Sequence, residues 1–241
     1  MDLYILCSGE GSRFQKAGFK KPKPMLEIGS SNFLHAAYSS LEHYHNWQNV
    51  YVTVLKKHVD EFEIDQFVMS NIPNARVLVF KKPTKGPLES ITKALEITRS
   101  RSNFTVADCD QAIKGKLNLT ANSISNTHNF VACVPIFKSN NPEHSFAQVT
   151  DNAIEAIAEK EAISDYAVAG AYTFLDFQKF KTSAYKILSS INREPYISDV
   201  LQDFLSCDHR IKAVQLDWNI SFGTPAELEK AIIDPRLDIF L

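Results

Sequence analysis

The sequence predicts one α/β domain with a mixed, mainly parallel sheet flanked by helices. Apolar, strand-like segments alternate with helical patterns early in the chain, which is typical of parallel strands joined by crossover helices. The 241 residues are 44% hydrophobic, which is enough for one substantial core. No low-complexity linker, internal repeat or abrupt change in composition divides the chain. We therefore expect residues 1–241 to form a single domain.

Individual strands and helices can be assigned from the apolar pattern. Helical spacing is clearest in Asn32–Tyr44 and in Pro87–Arg99, which begins with proline at a first-turn position. Thr224, followed by proline and by Glu227 at the third helical position, predicts a capping box at a helix start. Residues 129–159 have weaker helix signals and are expected to add strands and loops. The strand candidates are Leu3–Ser8, Val50–Leu55, Ala75–Phe80, Asn103–Asp108, Phe130–Phe137, Phe146–Val149, Val168–Phe174 and Ala213–Asp217.

Charge, hydropathy and cysteine spacing favour a cytoplasmic protein. The formal net charge of −2 gives no reason to expect a nucleic-acid or membrane-surface partner. No apolar run approaches the roughly 20 residues of a membrane span, and the N-terminus lacks the pattern of a signal peptide. The four cysteines have no CxxC spacing, so we expect free thiols in a reducing compartment.

A glycine loop rich in cations follows the first predicted strand. The string GEGSRF places Gly9, Gly11 and Arg13 there, and PKP sets Lys23 between two prolines about ten residues later. Glycines let a backbone approach phosphate groups and present amide groups to them. Arginine binds phosphate oxygens with two nitrogen atoms, and lysine adds a point charge. The combination predicts a site for phosphate groups.

Two well-known phosphate-binding patterns do not fit this loop. A P-loop needs GxxxxGK followed by serine or threonine, and no such string occurs. The dinucleotide pattern GxGxxG needs glycine at the position of Phe14. The pattern that fits is GxGxR followed by PKP, and it resembles the signature of the sugar-phosphate nucleotidyltransferase family.

This resemblance implies a Rossmann-like fold of the nucleotide-diphospho-sugar transferase type. It implies that residues 1–128 mainly bind a nucleoside triphosphate and that residues 129–241 mainly bind the acceptor. Arg13 and Lys23 are expected to act in catalysis. Gly86 is included because PTKGPLESITKALE is similar to the family's segment beside the base. The expected nucleotide-binding residues are Cys7, Ser8, Gly9, Gly11, Ser12, Arg13, Lys23, Gly86 and Asp108.

A short acidic motif, in FTVADCDQAI, follows a predicted central strand. The resemblance implies that its aspartate holds Mg²⁺ against the nucleotide phosphates. Asp110 fits that aspartate best and is also expected to be catalytic, and Asp108 is the second candidate. Carboxylates at the end of such a strand lie where ligands bind in open α/β sheets. Mg²⁺ is therefore the expected cofactor.

The acceptor is expected to bind to residues of the second half. The string IAEKEAISDYAVAGAYTF is similar to a family segment in which a lysine contacts the acceptor's phosphate, which implies this role for Glu159 and Lys160. Gly170 is the expected close-approach position of the following strand. His144 lies in NNPEHSFAQV, where family members shape the acceptor pocket.

The closing string WNISFGTPAEL departs from the family pattern W-x-D-x-GTP-x-x-L. Ser221 stands where many members have a second metal-binding aspartate. Asp217 lies four residues earlier and is a third candidate ligand in a different register. Either Asp108 and Asp110 suffice for the metal, or the catalytic arrangement is altered.

The implied reaction joins a nucleoside triphosphate to a phosphorylated acceptor and releases pyrophosphate. The first candidate acceptor is a sugar 1-phosphate for surface-polysaccharide synthesis, and phosphocholine with CTP is the nearest alternative. A type-A glycosyltransferase, which also uses an Asp-x-Asp motif, and a catalytically weak binding homologue remain open alternatives. A homo-oligomer is compatible with the sequence.

Overall fold

The computed structural model of the protein describes residues 1–42, 44–116 and 130–240. The boundary expected between residues 128 and 129 lies outside this part. The strands are β1 (Asp2–Leu6), β2 (Glu27–Ile28), β3 (Ser31–Asn32), β4 (Asn49–Leu55), β5 (Ala75–Phe80), β6 (Phe104–Asp108), β7 (Gln111–Gly115), β8 (Phe130–Lys138), β9 (Ser145–Thr150), β10 (Ala153–Glu159), β11 (Tyr166–Val168), β12 (Ala171–Phe174) and β13 (Arg210–Ser221).

Helices cover the sheet and close its ends. The described residues also form two 3-10 turns, Lys23–Met25 and Pro235–Phe240. The α-helices are α1 (Ser12–Lys16), α2 (Phe33–Glu42), α3 (Lys56–Phe62), α4 (Ile64–Asn71), α5 (Pro87–Thr98), α6 (Phe177–Ser190), α7 (Ile197–Ser206) and α8 (Pro225–Ile232). None of the described helices has the length and apolar character that a membrane crossing requires.

The predicted mixed α/β fold is confirmed. The described strands form an eleven-stranded sheet in the order β5-β4-β1-β6-β12-β8-β11-β9-β10-β13-β7. Strands β5, β4, β1 and β6 run parallel, as expected for strands joined by helices. Beyond β6 the pairings are antiparallel, except for that of β8 with β13. The expectation of a mainly parallel sheet therefore holds only for the first half, where helices join the strands, whereas short connections join β8 to β12 in succession.

Two predicted elements differ from the structure in informative ways. The single strand expected at Val168–Phe174 is two strands, β11 and β12, which separate at Ala169 and Gly170. At α8 the Thr224 side chain accepts a hydrogen bond from the backbone of Glu227, as in the predicted capping box. The Glu227 carboxylate, however, accepts hydrogen bonds from Thr224 Oγ1 and Asn141 Nδ2, so it lies at the site described below.

The apolar core lies on both faces of the sheet. Leu3 and Ile5 of β1 belong to a cluster on one face, and Tyr4 belongs to a cluster on the other, all fully buried. This alternation fixes the register of β1, because a shift of one residue would turn every side chain to the opposite face. The carboxyl ends of β1 and β6 then meet at one edge of the sheet, with Leu6 opposite Asp108.

Candidate active site

A cleft of about 480 Å³ opens at the carboxyl ends of β1 and β6. Open α/β sheets bind ligands at this edge, so the position agrees with the sequence prediction. Ten of the predicted residues line the cleft and come from distant parts of the chain. They are Gly11, Ser12, Arg13, Lys23, Asp108, Asp110, His144, Glu159, Lys160 and Gly170.

The floor of the cleft holds an ion pair between Lys23 and Asp110. Lys23 begins the 3-10 turn that the two prolines frame, which fixes its backbone beside the glycine loop. Gly11 has a φ of 68°, in the left-handed region, and a Cβ there would lie 3.4 Å from Lys23 Cβ. Burial alone would lower the pKa of Lys23, but Asp110 outweighs it and holds the pKa above its usual value. Lys23 therefore stays protonated within this ion pair.

Arg13 lies at the mouth of the cleft. Its guanidinium donates a hydrogen bond to Glu143 Oε2 at 3.0 Å, and both side chains are about half exposed. Arg13 belongs to α1 of the first half, and Glu143 precedes β9 of the second half. An exposed pair of this kind contributes little to stability, so an incoming anion can displace Glu143 from Arg13 at low cost.

Two glycines bring the aspartates of the acidic motif into position. A Cβ at Gly170 would collide with the Asp108 carboxylate, and a Cβ at Gly223 would lie 2.5 Å from Asp110 Oδ2. Burial raises the pKa of Asp108 to about 7, and the neighbouring Asp110 carboxylate adds to the rise. A nearby cation would favour the ionised form of Asp108.

Glu159, the last residue of β10, and Lys160, which follows it, also line the cleft. Ser198 Oγ donates to Glu159 Oε2 at 2.8 Å, and Ser145 Oγ also donates to this oxygen. Lys160 has a φ of 56°, a strained backbone for a residue with a side chain. Its Nζ lies 5.5 Å from the centre of the Tyr196 ring and 3.5 Å from Tyr196 Oη. The ammonium is therefore held at the cleft surface, and no carboxylate of the described residues forms an ion pair with it.

His144 lies in the loop between β8 and β9, and its ring contacts a residue of that loop and a residue of α8. Its Nδ1 lies 3.0 Å from Ser139 Oγ, and its Nε2 lies 3.8 Å from Glu227 Oε1. The His144 ring lowers the pKa of the Glu227 carboxyl, against the opposing effect of burial. This contact keeps Glu227 ionised beside the cleft.

Ser221, which stands where many family members have an aspartate, is one of the residues that line the cleft. Its hydroxyl accepts a hydrogen bond from Asn219 Nδ2 at 3.1 Å. Asp217 is exposed on β13 and does not line the cleft as the described residues form it. The structure therefore does not bring Asp217 to Asp108 and Asp110.

Four further predicted residues lie outside the cleft lining that the described residues form. Cys7 and Ser8 are buried beneath the loop, and Ser8 Oγ accepts a hydrogen bond from Thr53. Gly9 has open space around it. Gly86 does permit a close approach, but its neighbour is the chain itself, since a Cβ there would lie 2.7 Å from the Pro195 carbonyl oxygen.

Several lining residues are absent from the sequence prediction. Tyr172 follows Gly170 in the quoted AGAYTF string, so its position could have been inferred. Tyr196 and Glu194 precede α7, a helix that the prediction did not contain, and no local motif marks them. Glu227 was assigned only to a helix cap, although the same position faces the cleft.

Asp108 and Asp110 could hold a hard cation if phosphate groups or water supply the remaining ligands. Asp108 and Asp110 offer two carboxylates at one edge of the cleft, which are the oxygen donors that Mg²⁺ prefers. No group of three or more His, Cys, Asp or Glu side chains is arranged to hold a metal ion within the described ranges. Mg²⁺ is commonly held by one or two carboxylates together with substrate phosphates and water, and the pair fits that arrangement.

The chain matches a known protein family over most of its length. A family model described as the MobA-like NTP transferase domain matches residues 3–168. This range contains the glycine loop, Lys23, the acidic motif and Lys160. No curated protein matches the chain in sequence.

Solved structures share the fold over nearly the whole chain. A nucleoside-diphosphate-sugar pyrophosphorylase from Vibrio cholerae is 19% identical with a TM-score of 0.79, covering 96% of this chain and 100% of its own. An inositol-1-phosphate CTP transferase from T. maritima is 16% identical with a TM-score of 0.74, covering 97% and 96%. An apo UDP-glucose pyrophosphorylase is 17% identical with a TM-score of 0.74, covering 96% and 97%. These identities support a shared fold and leave the substrates of this chain open.

Proposed function

The chain belongs to the MobA-like NTP transferase family, and we propose that it joins a nucleoside triphosphate to a phosphorylated small molecule, releasing pyrophosphate. One observation carries the proposal. Lys23 of the PKP turn is ion-paired with Asp110 of the acidic motif, Arg13 lines the same cleft, and Lys160 lines it beside Tyr196 instead. The cleft therefore has separate positive groups for a triphosphate and for a second phosphate.

The chemistry follows from where these charges lie. An oxygen of the acceptor's phosphate attacks the α-phosphorus, a new P–O bond forms there, and the bond to the β-phosphate oxygen breaks. Arg13 and Lys23 hold the triphosphate and offset the charge that develops on the leaving pyrophosphate. Lys160 orients the incoming phosphate. Such a site works by positioning and charge neutralisation, without a covalent intermediate.

We propose that Asp110, with Asp108, holds Mg²⁺. When bound, the ion neutralises phosphate charge close to the reacting phosphorus. The position of Asp108 beside Asp110 supports this assignment: burial and the Asp110 carboxylate raise the pKa of Asp108 to about 7, and a bound cation would favour its ionised form. Ser221 supplies a neutral hydroxyl instead of a further carboxylate.

The acceptor class is a narrower proposal. The resemblance in sequence favours a sugar 1-phosphate for cytoplasmic synthesis of surface-polysaccharide precursors, and the second candidate is a non-sugar phosphate with CTP. The names of the structural neighbours include both a sugar and an inositol phosphate. A type-A glycosyltransferase is disfavoured, since such an enzyme consumes a nucleotide sugar and has no need of the triphosphate loop.

A pyrophosphate-release screen tests the proposal. Each of the four common NTPs is incubated with Mg²⁺ and one acceptor from a panel of sugar 1-phosphates, inositol 1-phosphate and phosphocholine. The expected result is pyrophosphate that appears only when both substrates are present. Consumption of a nucleotide sugar in place of an NTP, or pyrophosphate release that ignores the acceptor, would contradict the proposal.

A further inference from the structure

Carboxylates outnumber the permanent cations in the lining of the cleft, even when the proposed Mg²⁺ at Asp108 and Asp110 is counted. Three permanent cations, Arg13, Lys23 and Lys160, line it together with six carboxylates. A triphosphate and an acceptor phosphate are both anionic, so unpaired carboxylates would oppose their binding. The six carboxylates belong to Asp108, Asp110, Glu143, Glu159, Glu194 and Glu227.

Four of these carboxylates have a role that the site already explains. Asp108 and Asp110 form the acidic motif, Glu143 pairs with Arg13, and Glu227 contacts Thr224 and Asn141. Glu159 and Glu194 have no such role: their hydrogen-bond donors are the hydroxyls of Ser198 and Tyr196, and the cation nearest in effect to Glu159 is Arg193, which does not line the cleft. These two negative charges flank the wall where the acceptor's phosphate would bind.

The wall around them has the chemistry of a cation site, and we call it the Tyr196 wall. It comprises Pro87, Glu159, Lys160, Glu194, Tyr196 and Ile197. Tyr196 Oη donates to Glu194 Oε2 at 2.7 Å, and the Lys160 ammonium lies 5.5 Å from the centre of the ring. An aromatic face with nearby carboxylates and apolar neighbours attracts ammonium groups, and methylated ones in particular.

We infer that the acceptor is not the sugar 1-phosphate that the resemblance in sequence favours but carries a cationic ammonium group beside its phosphate, as a phosphorylated amino alcohol does, and that the Tyr196 wall binds this group. The inference rests on the proposed function. Lys160, which lies over the ring in the free protein, turns to the acceptor's phosphate, and the acceptor's ammonium takes its place. The positive charge of the acceptor then offsets Glu159 and Glu194.

A pair of acceptors of equal shape tests the role of the charge. Phosphocholine is compared with 3,3-dimethylbutyl phosphate, its neutral carbon analogue, and with glucose 1-phosphate, using the NTP that gives pyrophosphate. Loss of a cation–aromatic contact and of the attraction by two carboxylates predicts a KM at least about 10-fold higher for the neutral analogue. This comparison uses the unaltered protein and so does not depend on whether a variant folds.

Variants of Tyr196 locate the site. Tyr196→Leu should raise the KM for phosphocholine at least about 5-fold, while Tyr196→Phe, which keeps the ring, should retain most of the affinity. The KM for the NTP should stay unchanged in both. Tyr185→Leu is the matched control, because Tyr185 also donates to a glutamate, Glu96, and lies 5.9 Å from a lysine ammonium, Lys181, outside the cleft.

The outcomes separate this inference from the proposed function. Pyrophosphate release with glucose 1-phosphate but not with phosphocholine would overturn the inference and leave the proposed function intact. Equal KM values for phosphocholine and its neutral analogue would also overturn it. If no acceptor releases pyrophosphate from any NTP, the proposed function fails, and this inference fails with it.

Discussion

Replacing Glu143 with glutamine is expected to strengthen the binding of the nucleoside triphosphate. The Glu143 carboxylate accepts a hydrogen bond from Arg13 at 3.0 Å in the free protein. If Arg13 binds the triphosphate, this contact has to break first. The neutral amide of Glu143→Gln weakens the competing contact without changing the size of the side chain.

The size of the effect follows from the exposure of the pair. The side chains of Arg13 and Glu143 are 55% and 52% exposed, so the pair is screened by solvent. Exposed ion pairs contribute ~0.2–1 kcal/mol, which corresponds to a KM for the NTP that is about 1.5- to 5-fold lower. The turnover number should not change, because the contact is absent once the substrate is bound. The gain should shrink as NaCl is raised from low to high concentration.

The matched control is Glu27→Gln. Glu27 accepts a hydrogen bond from Lys21 at 3.0 Å, in an exposed pair that does not line the cleft. The Glu27→Gln substitution removes the same charge from the protein as Glu143→Gln does. It therefore separates a local effect on Arg13 from the effect of a general change in charge. Steady-state kinetics with varied NTP give both KM values. An unchanged or higher KM in Glu143→Gln, or an equal decrease in Glu27→Gln, would refute the role given to Arg13.

Four further substitutions test other parts of the site. Lys23→Ala should lower turnover by a factor of ~100, on the order of 3 kcal/mol of transition-state stabilisation, and wild-type kinetics would contradict its role. Lys160→Ala should raise the KM for the acceptor while calorimetry shows unchanged NTP affinity; the reverse pattern would mean that the two phosphate sites are exchanged. Gly223→Ala should reduce turnover, because its Cβ would displace Asp110, and a fully active variant would show that this packing is unimportant. Ser221→Asp should tighten Mg²⁺ in a titration if the wall retains the family's geometry, and no change would mean that this position is not used for metal.

The first half of the fold could be predicted because its signals are local. Each strand there is a short apolar run, and the helix at Pro87 is marked by its first residue. The loop between β1 and the PKP turn could be interpreted in the same way, since glycine, arginine and proline have conformational and chemical properties that do not depend on distant contacts.

The strand boundaries and pairings of the second half depend on contacts between residues that are distant in the sequence. The predicted strand at Val168–Phe174 is interrupted where Gly170 lies against the Asp108 carboxylate, more than sixty residues away in the chain. Strand β7 directly follows the acidic motif and pairs with β13, a partner about a hundred residues further on. Apolar patterning alone cannot specify such pairings.

Only part of the Tyr196 wall could be predicted, again because some of its residues are positioned by contacts between distant segments. Glu159 and Lys160 were found through a resemblance in sequence, and both line the cleft. Tyr196 and Glu194 reach the wall only because α7 packs near β10, where Ser198 Oγ donates to Glu159. A residue whose position depends on the docking of a helix has no signature in its own segment.

The fate of the α-phosphate is the most direct test of the central claim. The protein is incubated with Mg²⁺, an acceptor and NTP labelled with ³²P at the α-position, and the products are separated by chromatography. We predict that the label appears in a nucleotide-linked acceptor in equal amount to the pyrophosphate released, and that Asp110→Asn abolishes both. Label recovered only in nucleoside diphosphate or monophosphate, or full activity in Asp110→Asn, would contradict nucleotidyl transfer at this cleft.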